Sequence, residues 1–326
     1  MTTATPTTCP SRQADPTCPR GHAACPKDQP TSRPSRLLAL ALLLPACQPP
    51  TAPTLTGPAH RVLSQTVLGD EILWDLGPAA RARVVGVSVM ADDPRYCRVA
   101  GSWPEQLPRL AATTEGLLAR APDLAIIASY TAPETRALLA ANGVRLLELG
   151  HNPGFDDYRR DLRALAAAVE AVPVAEAKIA GLDARLATLA ARRPSPAPGV
   201  VSWGDGYAAT GDTSFADIAR AAGLDNLPER AGLSGHVPVA MEQLLAWDPA
   251  YIVIACPAER ADDPACRAAE RDFITSGPGL SATRAAREHG VIAVPARDLA
   301  STGDGMLVTA ELLQARVLAT PSPSPP

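Results

Sequence analysis

The chain has no surplus of positive charge. Its 30 Lys and Arg stand against 34 Asp and Glu, a formal net charge of −4. No Lys/Arg stripe interleaved with aromatics occurs, so the electrostatic footprint of a nucleic-acid binder is absent. Nor is there a hydrophobic run long enough to read as a membrane span. The apolar stretch Leu37–Leu44 is far shorter than the roughly 20 residues a bilayer requires. Local signatures of common catalysts are missing too: no G-x-S-x-G, no H-E-x-x-H, and no Cys–His context. There is no His-rich loop. Gly204, Gly206 and Gly211 do not fit G-x-x-x-x-G-K-[ST] and no Lys follows them, so they read as a turn between strands.

What is present begins with a targeting pattern. Arg33 and Arg36 precede Leu37–Leu44, which suits the apolar core of a signal peptide. The run ends in Leu44-Pro45-Ala46-Cys47, close to a lipobox whose Cys becomes the lipidated first residue, although Pro45 stands where a small residue is usual. The alternatives are a cleaved soluble signal or a plain hydrophobic segment. Residues 1–30 are polar, rich in Pro and Thr, and hold Cys9, Cys18 and Cys25 at spacings that match no zinc pattern. They read as a misassigned start or a removed extension. Export gives the later cysteines a meaning. Cys256 and Cys266 bracket a short Pro/Asp-rich loop and are candidate disulfide partners in an oxidising compartment, whereas Cys97 has no obvious partner.

At 326 residues, with 46% hydrophobic content, the chain is long enough for two α/β lobes. The expected organisation is a 1–47 extension and signal segment, a 48–58 flexible tether, an N-terminal lobe over 59–155 and a helical linker over 156–194. A C-terminal lobe over 195–320 and a disordered 321–326 tail complete it. In the first lobe Arg61–Leu68, Arg83–Ser88, Asp123–Ser129 and Val144–Leu149 read as strands alternating with helical patterns, the signature of parallel sheets with crossover helices. Ala91–Ala112 reads as a strandless loop. Val174–Arg192 carries Ile179, Leu182, Leu186 and Leu189 at helical spacing; about 20 helical residues reach roughly 30 Å, enough for a stiff spine between lobes. The alternation restarts with strands at Val200–Trp203, Tyr251–Ala255 and Val291–Val294. The fold class expected is α/β, with two parallel-sheet, Rossmann-like lobes joined by a long rigid helix.

One short motif occurs twice. Glu115-Gly-Leu-Leu-Ala-Arg-Ala-Pro122 and Glu242-Gln-Leu-Leu-Ala-Trp-Asp-Pro249 each lead into a buried strand. A Glu in the first turn of a helix is favoured by the macrodipole, so a purely local reading is capping chemistry used by two similar units. The order of elements, the paired E-x-L-L-A-x-x-P segments, the helical spine, Arg61-Val-Leu-Ser, Arg83-Val-Val-Gly-Val and Ala222-Gly-Leu-Asp-Asn226 together resemble class III periplasmic solute-binding proteins. The resemblance runs from about Arg61 to Leu318. It implies a substrate-binding protein of an ABC importer for cobalamin, heme or ferric siderophores. The metal, cobalt or iron, would belong to the ligand, with no cofactor of the protein's own. It implies a monomer in the periplasm or cell envelope, tethered to the membrane if Cys47 is lipidated, working with a permease and ATPase. Glu115 and Glu242 would be the carboxylates that dock on the permease.

Ligands of two-lobed α/β proteins lie at the carboxyl ends of strands, and large planar ligands need flat apolar faces. Trp103, Tyr130, Phe155, Trp203, Tyr207, His236 and Asp298 are the ligand-binding candidates, His236 standing where the family's cobalamin-binding member carries a Trp. Trp74 and Trp247 fall on amphipathic helices and read as core. His151 with His236 is a candidate metal pair, and Tyr130 or Tyr207 a candidate heme-iron ligand. Two alternatives stay open: a binder of free Zn, Mn or Fe ions, which needs three or four convergent His and carboxylate ligands, and a cleft enzyme, for which Cys97 is a weak candidate nucleophile.

Overall fold

The structure, a computed structural model, describes residues 57–110, 114–151, 154–277 and 279–319. The signal segment, Cys9, Cys18, Cys25, the lipidation candidate Cys47, most of the tether and the tail lie outside the described residues.

The first lobe contains β1 (Val62–Ser64), α1 (Val67–Asp75), α2 (Pro78–Arg81), β2 (Val84–Ser88), β3 (Arg109–Leu110), α3 (Thr114–Leu118), β4 (Leu124–Ile127), α4 (Pro133–Ala141) and β5 (Arg145–Glu148). Its sheet runs β3-β2-β1-β4-β5 with every pairing parallel. The region read as strandless contains β3, two residues hydrogen-bonded to the end of β2; so short a strand carries no period to read. Thr66 caps α1 by accepting from the Gly69 amide at 2.9 Å.

Two helices follow, α5 (Phe155–Ala168) and α6 (Val172–Ala191). Pro173 sits in the first turn of α6, where its missing N–H costs nothing. Ala175, Ile179, Leu182 and Leu189 form the buried face of this 20-residue helix. Its polar face is braced by ion pairs. Lys178 contacts Asp75 at 2.9 Å and Asp304 at 2.5 Å, and Arg185 contacts Glu311 at 2.6 Å.

The second lobe comprises β6 (Gly199–Gly204), β7 (Tyr207–Ala209), α7 (Ser214–Ala222), β8 (Asp225–Asn226), α8 (Leu227–Arg230), β9 (His236–Pro238), α9 (Met241–Trp247) and β10 (Tyr251–Cys256). It continues with α10 (Pro264–Ser276), α11 (Arg284–Arg287), β11 (Val291–Pro295), α12 (Ala296–Leu299) and α13 (Asp304–Ala319). Its sheet runs β11-β10-β6-β7-β9, with β8 also on β6. The pairings of β10 with β11 and β6, and of β6 with β8, are parallel as expected, while at the sheet's edge β7 is antiparallel to both β6 and β9. The cause is local. Asp205 and Gly206, with φ of 51° and 81°, form a two-residue connection, and two consecutive left-handed residues make the turn that suits a hairpin.

Both faces of each sheet are covered, and strand residues alternate between them as the pleat demands. On β4, Leu124 and Ile126 join one apolar cluster while Ala125 and Ile127 join another. On β10, Tyr251 and Val253 point one way and Ile252 and Ile254 the other. The inward-facing set forms a single cluster running from Val62 and Leu73 through Leu162, Ile179 and Leu182 to Phe215, Val253 and Leu313. One core therefore unites both lobes and the helices between them.

The repeated motif occupies equivalent outer positions. Leu117 on α3 and Leu244 on α9 are fully buried, each in the cluster on the sheet face away from the shared core. Each unit closes with a non-glycine residue in the left-handed region before its proline, Ala121 at φ 45° and Asp248 at φ 38°. Replacing either Leu117 or Leu244 with Ala is expected to lower stability by about 2–5 kcal/mol, read from denaturant midpoints; a loss under about 1 kcal/mol at both would show that these positions do not anchor the outer helices.

Candidate functional site

The carboxyl ends of the strands feed the loops that meet between the lobes, and three cavities open there. The largest, about 590 Å³, is walled by Arg98 from the first lobe and by second-lobe residues including Glu259, Arg260, Arg297 and Asp298. A second, about 120 Å³, lies between Leu68, Glu71, Arg98, Tyr158 and Asp304. A third, about 140 Å³, is bounded by Glu71, Tyr96, Arg297 and the turn from Ala300 to Gly303. Their walls are shared: Arg98 belongs to the first and second, Glu71 to the second and third, Arg297 to the first and third. The three cavities are therefore neighbours, and the largest of them is of the size that holds small-molecule ligands.

Its polar framework joins helix and loop residues of both lobes. Glu71, in the second turn of α1, accepts the Arg98 amide at 2.8 Å. Arg98 crosses to the other lobe, where Nη1 donates to Asp298 Oδ1 at 2.5 Å. Asp304 opens α13, accepts from the Tyr158 hydroxyl at 2.8 Å and pairs with Lys178 of the spine. Arg297 donates to the Glu259 carbonyl at 2.5 Å. That carbonyl lies in the loop closed by the disulfide between Cys256 and Cys266, whose Cα atoms are 5.0 Å apart. The bond ties the end of β10 to α10 and so anchors a wall of the largest cavity.

Two carboxyls beneath the cleft have displaced titrations. Burial pushes Asp70 up from 3.8 to about 7, against hydrogen bonds from Ser88 and Ser64. Burial likewise pushes Glu71 from 4.5 to about 7, opposed by the amide and charge of Arg98. Ser88 Oγ donates to Asp70 at 2.5 Å. Cys97 is buried, and desolvation raises its thiol to about 12; such a group is protonated near neutrality and a poor nucleophile.

The candidate residues distribute unevenly. Asp298 lines the largest cavity, 5% exposed. Trp103 is buried edge-to-face on Trp74, centroids 5.2 Å apart. Phe155 is likewise buried in the shared core. Trp203 packs edge-to-face on Phe273 and donates to the Val239 carbonyl at 3.3 Å. These three were read as ligand-facing because they follow strands or sit in a loop; Trp103 and Trp203 pack on other aromatics and Phe155 joins the core, neither of which local pattern reveals. Tyr130 and Tyr207 are exposed, 84% and 53%. His236 is exposed on the edge strand β9, and His151 is exposed beside Glu148. Among the described residues no group of three or more His, Cys, Asp or Glu could hold a metal ion. Trp74 and Trp247 pack against the core clusters. Glu242 is exposed on the first turn of α9; Glu115 lies on α3, and its side chain is outside the described residues. The cleft residues not anticipated are Glu71, Tyr96, Arg98 and Arg297. Tyr96 was available to sequence reasoning, being an aromatic in the same loop as Trp103.

A two-lobed α/β protein with an inter-lobe cleft and a rigid linking helix is the architecture of an extracytoplasmic solute receptor. The periplasmic binding protein family model matches residues 63–297, and the chain belongs to that family. A heme-binding protein of Pseudomonas aeruginosa is 27% identical with a TM-score of 0.64, the alignment covering 82% of this chain and 95% of that one. The apo form of the heme-binding protein RhuT from Roseiflexus sp. RS-1 is 25% identical with a TM-score of 0.64, covering 79% and 97%. The vitamin B12 binding protein BtuF of Vibrio cholerae, 17% identical with a TM-score of 0.63, covers 82% and 99% and shares the fold. No curated protein sequence matches the chain.

The raised carboxyl values carry a stability signature. A carboxyl that holds its proton more tightly when folded stabilises the protein at low pH, and that contribution is lost as pH rises toward the folded value. Asp70 and Glu71 should therefore lower stability between about pH 4 and about 7. Asp70→Asn with Glu71→Gln should flatten this fall in the unfolding midpoint relative to the parent protein; an unchanged slope would mean that neither group is protonated in the folded state.

Proposed function

We propose that the protein captures a metal chelate, such as heme, cobalamin or a ferric siderophore, in the inter-lobe cleft and hands it to the permease and ATPase of an ABC importer without chemical turnover. The observation that carries this reading is a cleft of about 590 Å³ walled by side chains of both lobes in a chain whose similar structures include heme-binding proteins. Exposed Tyr96 stands on the cleft wall, where a phenol offers both an aromatic face and an oxygen ligand for ferric iron. A free metal ion is less well served, since no convergent ligand set exists among the described residues. Enzymatic function has no activated nucleophile in Cys97.

Glu115 and Glu242 are proposed as the permease contacts. They occupy matching second positions of α3 and α9, on helices of the two outer faces, where separated carboxylates can register a rigid body on a basic partner. Cys47 is proposed as the lipid anchor, holding the protein as a monomer at the membrane.

Quenching of the chain's four tryptophans on titration with heme, cobalamin and ferric siderophores should report tight binding of at least one. Silence with all three and a response to Zn²⁺ would replace the reading with a free-ion receptor. Glu115→Ala with Glu242→Ala should leave ligand affinity within about twofold, a change below 0.5 kcal/mol, yet abolish uptake in cells. Loss of affinity in the double variant would put these carboxylates in the fold or the cleft instead.

A further inference from the structure

The disulfide closes a loop that has little else to hold it. Cys256 ends β10 and Cys266 lies in the first turn of α10, a separation of 10 that leaves nine residues between them. None of the nine is buried: Pro257, Glu259, Arg260, Asp262, Asp263 and Pro264 are exposed and the three alanines half-buried. Of these only Ala258 packs against an apolar cluster. Among the described residues, one hydrogen bond reaches the loop from beyond itself and α10, from Arg297 to the Glu259 carbonyl at 2.5 Å. Others are short-range, such as Arg260 to the Asp262 carboxylate at 3.0 Å and the Asp263 amide to the Arg260 carbonyl at 3.1 Å. A loop with no core of its own takes much of its order from the constraint on its ends.

This loop is part of the site. Glu259, Arg260, Ala261 and Asp262, four consecutive residues, line the largest cavity. A wall already in place costs a ligand nothing to order, whereas a loose one must be fixed at the moment of binding, at the expense of affinity. The sulfurs lie apart from the cavity. Both cysteines are buried with Val201, Leu244, Ile254 and Val291 in the second lobe's outer cluster. A reduced cysteine is a small hydrophobe, so that cluster stays filled when the bond is open. The bond therefore acts on the loop more than on the fold.

We propose that the bond between Cys256 and Cys266 is a redox latch on ligand binding. With both thiols reduced the protein is folded, its cleft wall is loose and it holds chelate weakly; oxidation completes the site. The inference rests on the reading of the cleft as a chelate site and adds its regulation. Thiols stay reduced in the cytosol and pair in an oxidising compartment, so affinity arises where an exported receptor meets its ligand. In the closing step one thiolate attacks the disulfide of a protein oxidant and releases one of its sulfurs, and the second thiolate displaces the other. Two electrons and two protons pass to the oxidant, which leaves as a dithiol. Burial of both cysteines, 2% and 1% exposed, then shields the bond in the folded protein.

The test compares three forms: the oxidised parent, the parent refolded with dithiothreitol that is then removed without air, and Cys256→Ala with Cys266→Ala. Each is titrated with hemin, cyanocobalamin and a ferric hydroxamate. The oxidised parent should bind at least one probe, and both other forms should bind it at least about tenfold more weakly with their circular dichroism unchanged. Amide hydrogen exchange over residues 257–263 should quicken in both, while β10 keeps its protection. Glutathione disulfide should restore affinity to the reduced parent and not to the double variant. Where the two thiol-free and thiol forms differ in folding, the reduced parent decides, since its core loses no atoms. Affinity within about twofold of the oxidised form, or unchanged exchange over 257–263, overturns the proposal and leaves the chelate reading in place. A reduced parent that does not fold assigns the bond to the fold and overturns it as well. Silence of the oxidised parent with all three probes ends both readings.

Discussion

The structure depends on one apolar core shared by two sheets. Residues of β1, β4, β10 and β11 alternate strictly, so each strand sends one row of side chains inward and one outward. The inward rows of both lobes meet the buried faces of α5 and α6 in a single cluster. A close-packed interior resists relative displacement of its parts, because any sliding opens voids that cost contact energy on both sides. The lobes are thereby coupled through packed side chains as well as through the backbone of the linking helix. Gln314 on α13 adds a polar tie, its amide donating to the Leu189 carbonyl at 2.8 Å and the Ala222 carbonyl at 3.3 Å, near the ends of α6 and α7.

On that fixed frame the cleft is a polar seam. Its ion pairs join parts far apart in sequence: Arg98 with Asp298, and Lys178 with both Asp75 and Asp304. Isolated surface pairs contribute little, but these sit at the meeting of the lobes, where a half-buried network specifies which groups face one another. The adjacent carboxyls Asp70 and Glu71 of α1 are held near the same seam, with their charged forms disfavoured by burial.

The elements of the fold were legible where periodicity is strong. Buried runs such as Leu124–Ile127 and Tyr251–Cys256 announce covered strands, and the four apolar positions on α6 announce its buried face. The three-residue strands β7 and β9 were not legible, being too short for a pattern, and with them the antiparallel edge of the second sheet. The cleft was harder. Trp103 and Phe155 carry the same local signature as a ligand-facing aromatic, and only the tertiary fold reveals that they are covered. Arginine is a common surface residue, so nothing near Arg98 distinguishes it; its partner across the cleft is an aspartate 200 positions later. Glu71 falls in the second turn of α1, and its contact with the Arg98 amide has no sequence mark.

The disulfide bears on how the chain reaches this state. Among the described residues three thiols could pair in three ways, and two of those would tie Cys97 to a distant part of the chain. Cys256 and Cys266 are ten positions apart, and short loops close far more often than long ones. In an oxidising compartment, proximity along the chain thus favours the native bond even before the lobes assemble. Folding then buries Cys97 and suppresses its thiolate, so the completed protein protects its own pairing from exchange.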